Sequence, residues 1–171
     1  MMLFAGSRSK PGEGGLRVRK ATLPDSQQVS ALFYRNNQCL CRNEPYVFRE
    51  PKDTGRIETY IRKLIEQKTG LFLVMESGVR IVGYAFGYEE RRGSVPFQNN
   101  RISFYLDGIG LDEAFCRRKY IQILLESVIG HCREKSYDDI VLNVERFNMR
   151  AFRAYRKNGF TVLSYDMILK L

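Results

Sequence analysis

The stretch from Asp107 to Phe160 constrains the fold most tightly, because it reads as a strand, a turn, a long helix, a second strand and a short helix. Within it Ile121, Leu124, Leu125, Val128, Ile129 and Cys132 recur at three-four spacing, which predicts one buried helical face. Residues 140–144, Ile-Val-Leu-Asn-Val, have only Asn143 polar, as expected of a strand covered on both sides. A strand–helix–parallel strand unit leaves a helix N-terminus beside the carboxyl end of a strand. The unpaired N–H groups and the helix dipole there favour an anion, most often a phosphate. Arg117, Arg118 and Lys119 stand at that helix start, where cations oppose the dipole. Such a departure from local preference points to neutralising a phosphate; the alternative is a solvated basic turn.

The rest of the chain supplies further strands and helices around this unit. Residues 1–15, with Ser7, Ser9, Pro11 and several glycines, read as a flexible leader, and residues 16–171 as one domain. Residues 16–21 alternate as a first strand, and Pro24-Asp25 opens a first helix with Asp25 as its cap and Gln28 three places on. Val29, Leu32 and Phe33 form that helix's inner face, and residues 36–52 read as irregular. Ile57, Tyr60, Ile61, Leu64 and Ile65 mark a second amphipathic helix. Residues 71–76 and 80–88 form a hairpin turning at Ser77-Gly78. A charged loop over residues 89–100 precedes the strand 102–111, in which Gly108 and Gly110 mark a bulge, a close backbone approach or a packing accommodation. The alternating tail, with Met167, Leu169 and Leu171 on one face, is expected to close the sheet as an edge strand.

Composition narrows the function less than the pattern does. The formal net charge is +9, with 28 Lys and Arg against 19 Asp and Glu. Such a surplus attracts polyanions without choosing among them. The basic residues Arg146, Arg150, Arg153, Arg156 and Lys157 around the last helix lack the aromatic interleaving of a single-strand nucleic-acid platform, so nucleic acid is not an expected partner. Cys39, Cys41, Cys116 and Cys132 have no zinc-site spacing, and His131 is the only histidine, which leaves no metal centre to assemble. No apolar run approaches the roughly 20 residues of a membrane span. A reducing cytoplasm is the default location.

Asn148-x-x-Ala151-x-x-x-Tyr155-x-x-x-Gly159-Phe160 resembles the end of the GNAT superfamily, acyltransferases that use acetyl-coenzyme A. The likeness extends more loosely from Leu16 to the end. It implies an α/β (α+β) fold with a mixed, mostly antiparallel central sheet, helices on both faces and a splayed parallel strand pair. That pair is residues 102–111 and 137–144. The family's coenzyme loop, Gln/Arg-x-x-Gly-x-Gly/Ala, aligns with Cys116, Arg117, Arg118, Lys119, Tyr120 and Ile121. Both glycines are replaced, by Lys119 and Ile121, so the loop is degenerate. Glycine there lets pyrophosphate oxygens approach the backbone.

The resemblance implies an N-acetyltransferase that moves an acetyl group from acetyl-CoA to a primary amine by direct attack. The amine must lose a proton, the carbonyl oxygen needs a donor as it becomes anionic, and the departing thiolate gains from a proton. By resemblance Tyr155 protonates the thiolate and Asp107 accepts the amine proton; otherwise Tyr155 packs helix to sheet and Asp107 is a solvated or ion-paired carboxylate. Asn148 caps its helix and, by resemblance, bonds the pantetheine arm, whose amides pair with the backbone of Ile109 and Leu111. The acceptor is a small-molecule or peptide amine. A homodimer is expected by analogy alone. The competing reading keeps the fold as a binding or regulatory module with weakened or lost acetyl-CoA binding, on the strength of the replaced glycines.

Overall fold

The computed structural model describes residues 15–93, 95–116 and 118–170, with the side chain of Arg118 outside that set. The expected leader lies outside the described residues except for Gly15. The chain forms β1 (Leu16–Lys20), α1 (Ser26–Asn43), α2 (Gly55–Glu66), β2 (Gly70–Ser77), β3 (Arg80–Arg92), β4 (Arg101–Leu111), α3 (Arg118–Glu134), β5 (Asp139–Val141) and α4 (Met149–Lys157). Short 3-10 turns at Leu23–Asp25 and Glu113–Phe115 lead into α1 and α3.

Five strands lie in chain order in one sheet, β1 to β4 antiparallel and β5 parallel to β4. Alternation along β2 separates two cores. Phe72 and Val74 face α1 and α2, where they meet Val29, Leu32, Ile57 and Ile61. Leu71, Leu73 and Met75 face α3 and α4, where they join Leu124, Leu125, Val128, Ala151 and Tyr155. The mixed, mostly antiparallel sheet with helices on both faces is therefore as expected.

The alternation breaks once on β4, and that break shapes the molecule. Phe104 and Leu106 face the α3–α4 core, and so do Ile109 and Leu111. An interval of three between Leu106 and Ile109 is possible only if one residue is extra. The register identifies it: Gly87 pairs with Leu106 and Phe86 with Gly108, leaving Asp107 as the bulged residue. Gly87 permits this close approach, because a Cβ there would stand 2.2 Å from the Tyr105 carbonyl oxygen and 2.7 Å from the Phe104 ring.

Four local expectations change. α1 continues to Asn43 rather than ending before residue 36, because its asparagines are used internally. Asn36 is buried and hydrogen-bonded to the Tyr84 hydroxyl, while Asn37 and Asn43 donate back to the carbonyls of Phe33 and Cys39. Asp25 does not cap α1 with its side chain. Its carboxylate instead accepts from the Thr22 N–H and hydroxyl and from the Arg19 guanidinium, which holds its pKa down at about 2. Gln28 reaches the β2–β3 hairpin, accepting from the Ile81 N–H. β5 is a half-buried edge strand of three residues rather than one covered on both sides, and the tail forms no strand over residues 160–170. Period-two alternation reports that a segment suits a sheet, not which edge it meets.

Gly87→Ala tests the bulge. A methyl group aimed at a backbone carbonyl cannot be relieved by a side-chain rotation, so a loss of about 2–3 kcal/mol in urea-unfolding stability is expected. A near-neutral result would show that β4 can shift its register.

Candidate active site

Because Leu106 and Ile109 both turn toward α3 and α4, Asp107 and Gly108 are left for the opposite face. A Cβ on Gly108 would strike the Phe86 ring at 2.2 Å, which places that face against the α1–α2 core. Asp107 sits there among tyrosines. Tyr105 and Tyr88 face each other across the strand pair with ring centroids 5.4 Å apart, and Tyr60 comes down from α2. Burial raises the pKa of each tyrosine, and the Asp107 charge raises it further. Burial likewise lifts the Asp107 carboxyl above its ordinary range. This tyrosine ring was not read from the sequence. Its trace was the alternation of Tyr105 with Asp107 on one strand.

The gap beside Asp107 comes from unequal strand lengths. β4 runs to Leu111, but its pairing with β5 stops at Tyr105 and Val141. From Leu106 to Leu111 β4 is strand-paired on the β3 side, so the parallel pair opens toward its carboxyl end. Ile109 and Leu111 line this opening with their backbone, their side chains being buried in the α3–α4 core.

α4 buries Ala151 and Tyr155 in the same core as Ile109 and Leu111. Asn148 accepts a hydrogen bond from the Ala151 N–H at 3.1 Å, so it caps α4 as expected. One turn further, Tyr155 is 2% exposed and its ring packs on Phe160 at 5.6 Å. Its hydroxyl is buried with no hydrogen-bond partner among the described residues, and burial raises its pKa strongly. A buried hydroxyl left unpaired is costly. Tyr155 thus fills its packing role and also buries a proton-bearing group that no described residue bonds.

The loop between β4 and α3 is held at its root by charge. Asp112 is 2% exposed; Arg80 binds it at 2.7 Å, Arg35 lies 3.5 Å away, and the Ala114 N–H donates to it. Cys116 follows, half-buried, with burial raising its thiol pKa. The Arg150 guanidinium donates to the Cys116 carbonyl, which ties α4 to the loop. Arg117 and the side chain of Arg118 lie outside the described residues. Lys119 is exposed, its ammonium 4.8 Å above the Tyr120 ring. Tyr120 packs on Phe115, and both Tyr120 and Ile121 are buried in the α3–α4 core. The bulk of Ile121 is therefore taken up by that core. Neither the Asp112 clamp nor the Arg150 tie was foreseen, since both join residues distant in sequence.

A separate cavity of about 180 Å³ lies between α1 and the segment that follows it, lined by Phe33, Asn37, Cys41, Phe48, Glu50 and Ile57 among others. Among the described residues no group of His, Cys, Asp or Glu could hold a metal ion, and no helix is long and apolar enough to cross a membrane.

The environment of Asp107 gives a signed pH dependence. Its raised pKa means that the native state binds the proton more tightly than the unfolded chain. Ionisation therefore costs stability as pH rises from the ordinary carboxylate value, about 4, through the raised one. Asp107→Asn cannot ionise, so it should gain stability relative to the parent over that rise, measured by denaturant unfolding between pH 3 and pH 7. A variant that instead lost ground as pH rose would place Asp107 in an ion pair.

The matches to known proteins agree with this architecture. The model of the acetyltransferase (GNAT) family matches residues 34–160. A tetramutant of the BH1408 protein from Bacillus halodurans superposes with a TM-score of 0.80 at 21% identity, over 91% of this chain and 99% of that one. An aminoglycoside N-acetyltransferase, AAC(6')-Iy, in complex with CoA gives 0.71 at 12% identity, over 94% and 97%. A ribosomal-protein-alanine N-acetyltransferase from Brucella melitensis biovar Abortus 2308 gives 0.69 at 14%, over 92% and 100%. At these identities the superpositions speak for the fold alone, and no curated protein sequence matches the chain. With a mostly antiparallel sheet whose parallel β4–β5 pairing ends before β4 does, and the family model covering most of its length, this chain belongs to the GNAT acetyltransferase family.

Proposed function

We propose that the protein transfers an acetyl group from acetyl-CoA to a primary amine by direct attack. One observation supports the reading: the Tyr155 hydroxyl is buried with no hydrogen-bond partner among the described residues, in the same core that takes the side chains of Ile109 and Leu111 beyond the end of the β4–β5 pairing. The residues fit the coenzyme in kind. The backbone of Ile109 and Leu111 would pair with its amides, Asn148 would border the pantetheine arm, and the first-turn N–H groups of α3 would meet the diphosphate. Arg117, Arg118 and Lys119 would neutralise that diphosphate, with Cys116, Tyr120 and Ile121 supporting the loop. Because Ile121 is buried in the core, the replacement at that position crowds the helix start less than its size suggests, while the exposed Lys119 stays available to a phosphate. Acetyl-CoA would supply the acetyl group as an activated thioester.

Each side chain then has one proton to hold or move. Asp107 accepts the proton that the ammonium must lose before its nitrogen can attack the carbonyl carbon. A carboxylate whose pKa is raised is a stronger base than an exposed one, which suits the task. The tyrosines Tyr60, Tyr88 and Tyr105 offer π-faces that attract the incoming cation. Tyr155, kept protonated by its burial, gives its proton to the sulfur as the carbon–sulfur bond breaks. Cys116 is not the nucleophile, because burial keeps its thiol protonated. His131 is no base for it either, since it packs against Phe104 and Tyr137 on the far part of α3.

A thiol-release assay with acetyl-CoA across a panel of amines is expected to give turnover with at least one of them. In that reaction Tyr155→Phe should lower kcat about 100-fold while leaving stability and the KM for acetyl-CoA nearly unchanged. Calorimetry that finds no binding at millimolar acetyl-CoA would instead favour a GNAT-fold binding module. Restoring glycine to the loop distinguishes the two readings only at Lys119. Ile121→Gly would remove a core side chain at a cost of about 2–5 kcal/mol.

A further inference from the structure

A net charge of +9 draws phosphates, but it repels an ammonium over most of the surface. An amine therefore needs a place where the field is locally reversed, and the sheet face toward α1 and α2 has one. Strand pairing sets three rows on that face. Arg92 lies opposite Arg101, Glu90 opposite Ser103 with Asp139 beyond it, and Tyr88 opposite Tyr105. Asp107 follows at the bulge. Both arginines are engaged by the acids of the middle row, Arg92 with Glu90 at 2.6 Å and Arg101 with Asp139 at 3.1 Å. Asp107 forms an ion pair with no described residue, so its charge is the one on this face left for a ligand.

The walls around that charge are aromatic. Tyr88 and Tyr105 are half-buried, their planes 35° apart, and together they form a floor on the strand pair. Tyr60 comes from α2, 42% exposed and braced by the Phe33 ring at 6.0 Å. A half-buried carboxylate without a cation is costly, and neutral phenol rings cannot offset it. An ammonium does, and the ring faces add to the attraction. The same surroundings reject a second anion. A carboxylate on the carbon that bears the amine would lie close to Asp107, and the two arginines of this face already have carboxylates of their own.

We propose that Tyr60, Tyr88, Tyr105 and Asp107 form the recognition site of the acceptor, and that it takes a primary ammonium on an uncharged carbon chain and excludes free α-amino acids. The inference rests on the transferase reading above and names the class of its acceptor. Tyr60 is the ring on which selection is best tested, because it stands on a helix and its replacement leaves the strand pairing untouched.

Pentylamine and norleucine differ only by the carboxylate, and ligand-observed NMR with and without coenzyme A compares their binding to the full chain. Pentylamine should bind, and norleucine should bind about 100-fold more weakly. Tyr60→Phe keeps the ring face and should bind pentylamine like the parent. Tyr60→Leu removes it and should weaken binding about 10-fold, with the fold unchanged by circular dichroism. Absence of pentylamine binding in both conditions would overturn the proposal. So would equal binding or acetylation of norleucine, or a Tyr60→Leu protein that binds like the parent. Selective binding of pentylamine without acetyl transfer to it would uphold the site and remove the transferase reading instead.

Discussion

One inserted residue governs this structure. Asp107 is the extra residue of β4, and its presence shifts the facing of every side chain after it. Without the bulge, the alternation that places Phe104 and Leu106 on α3 and α4 would continue to Gly108 and Gly110. Ile109 and Leu111 would then turn to the α1–α2 side. With it, the glycines fall where Phe86, Tyr84 and Asn36 already occupy the space, and the aliphatic side chains return to the α3–α4 core. The glycines of β4 are therefore consequences of the bulge rather than independent signals of a binding cleft. The same insertion turns a carboxylate out of a strand otherwise buried on both faces.

The site depends on the two cores being filled on either side of that strand. Tyr60 comes near Asp107 because α2 packs on Phe72 and Val74; Tyr155 is buried because α4 packs on the opposite core. The shortness of β5 does the rest, since a parallel partner as long as β4 would zip the strands shut. Charge then fixes the end of β4. Asp112, buried and bound by Arg80, joins β3 to the root of the loop before α3, while Arg150 joins α4 to that loop's Cys116 carbonyl. The basic surplus of the chain is thus partly internal wiring, with Arg146 held by Glu44 and Arg156 donating to the Phe160 carbonyl.

Much of the architecture was legible because it follows from local periodicity. The three-four spacing of Ile121, Leu124, Leu125 and Val128 is a property of adjacent turns, and α3 buries those residues as the spacing requires. The Ser77-Gly78 hairpin was equally local, and Gly78 adopts a φ of 59°. Misreadings fell where a polar side chain finds a distant partner. Asn36 read as the start of an irregular segment, yet its amide meets Tyr84 and α1 passes through it. Asp25 looked like a cap, yet Arg19 on β1 claims its carboxylate. In the site, Tyr155 and Asn148 could be named from one short motif. The tyrosines around Asp107 could not, because they come from three separate elements.

By itself the sequence determined the elements, their two-faced burial and the motif on α4, since each depends on residues a few positions apart. The tertiary structure alone decided which residue bulges, how far β5 accompanies β4, which way Ile121 points and where the final segment goes. Those outcomes turn on contacts between elements tens of residues apart. There the free energy of packing and of burying a charge outweighs the weak preferences that any single stretch of chain carries.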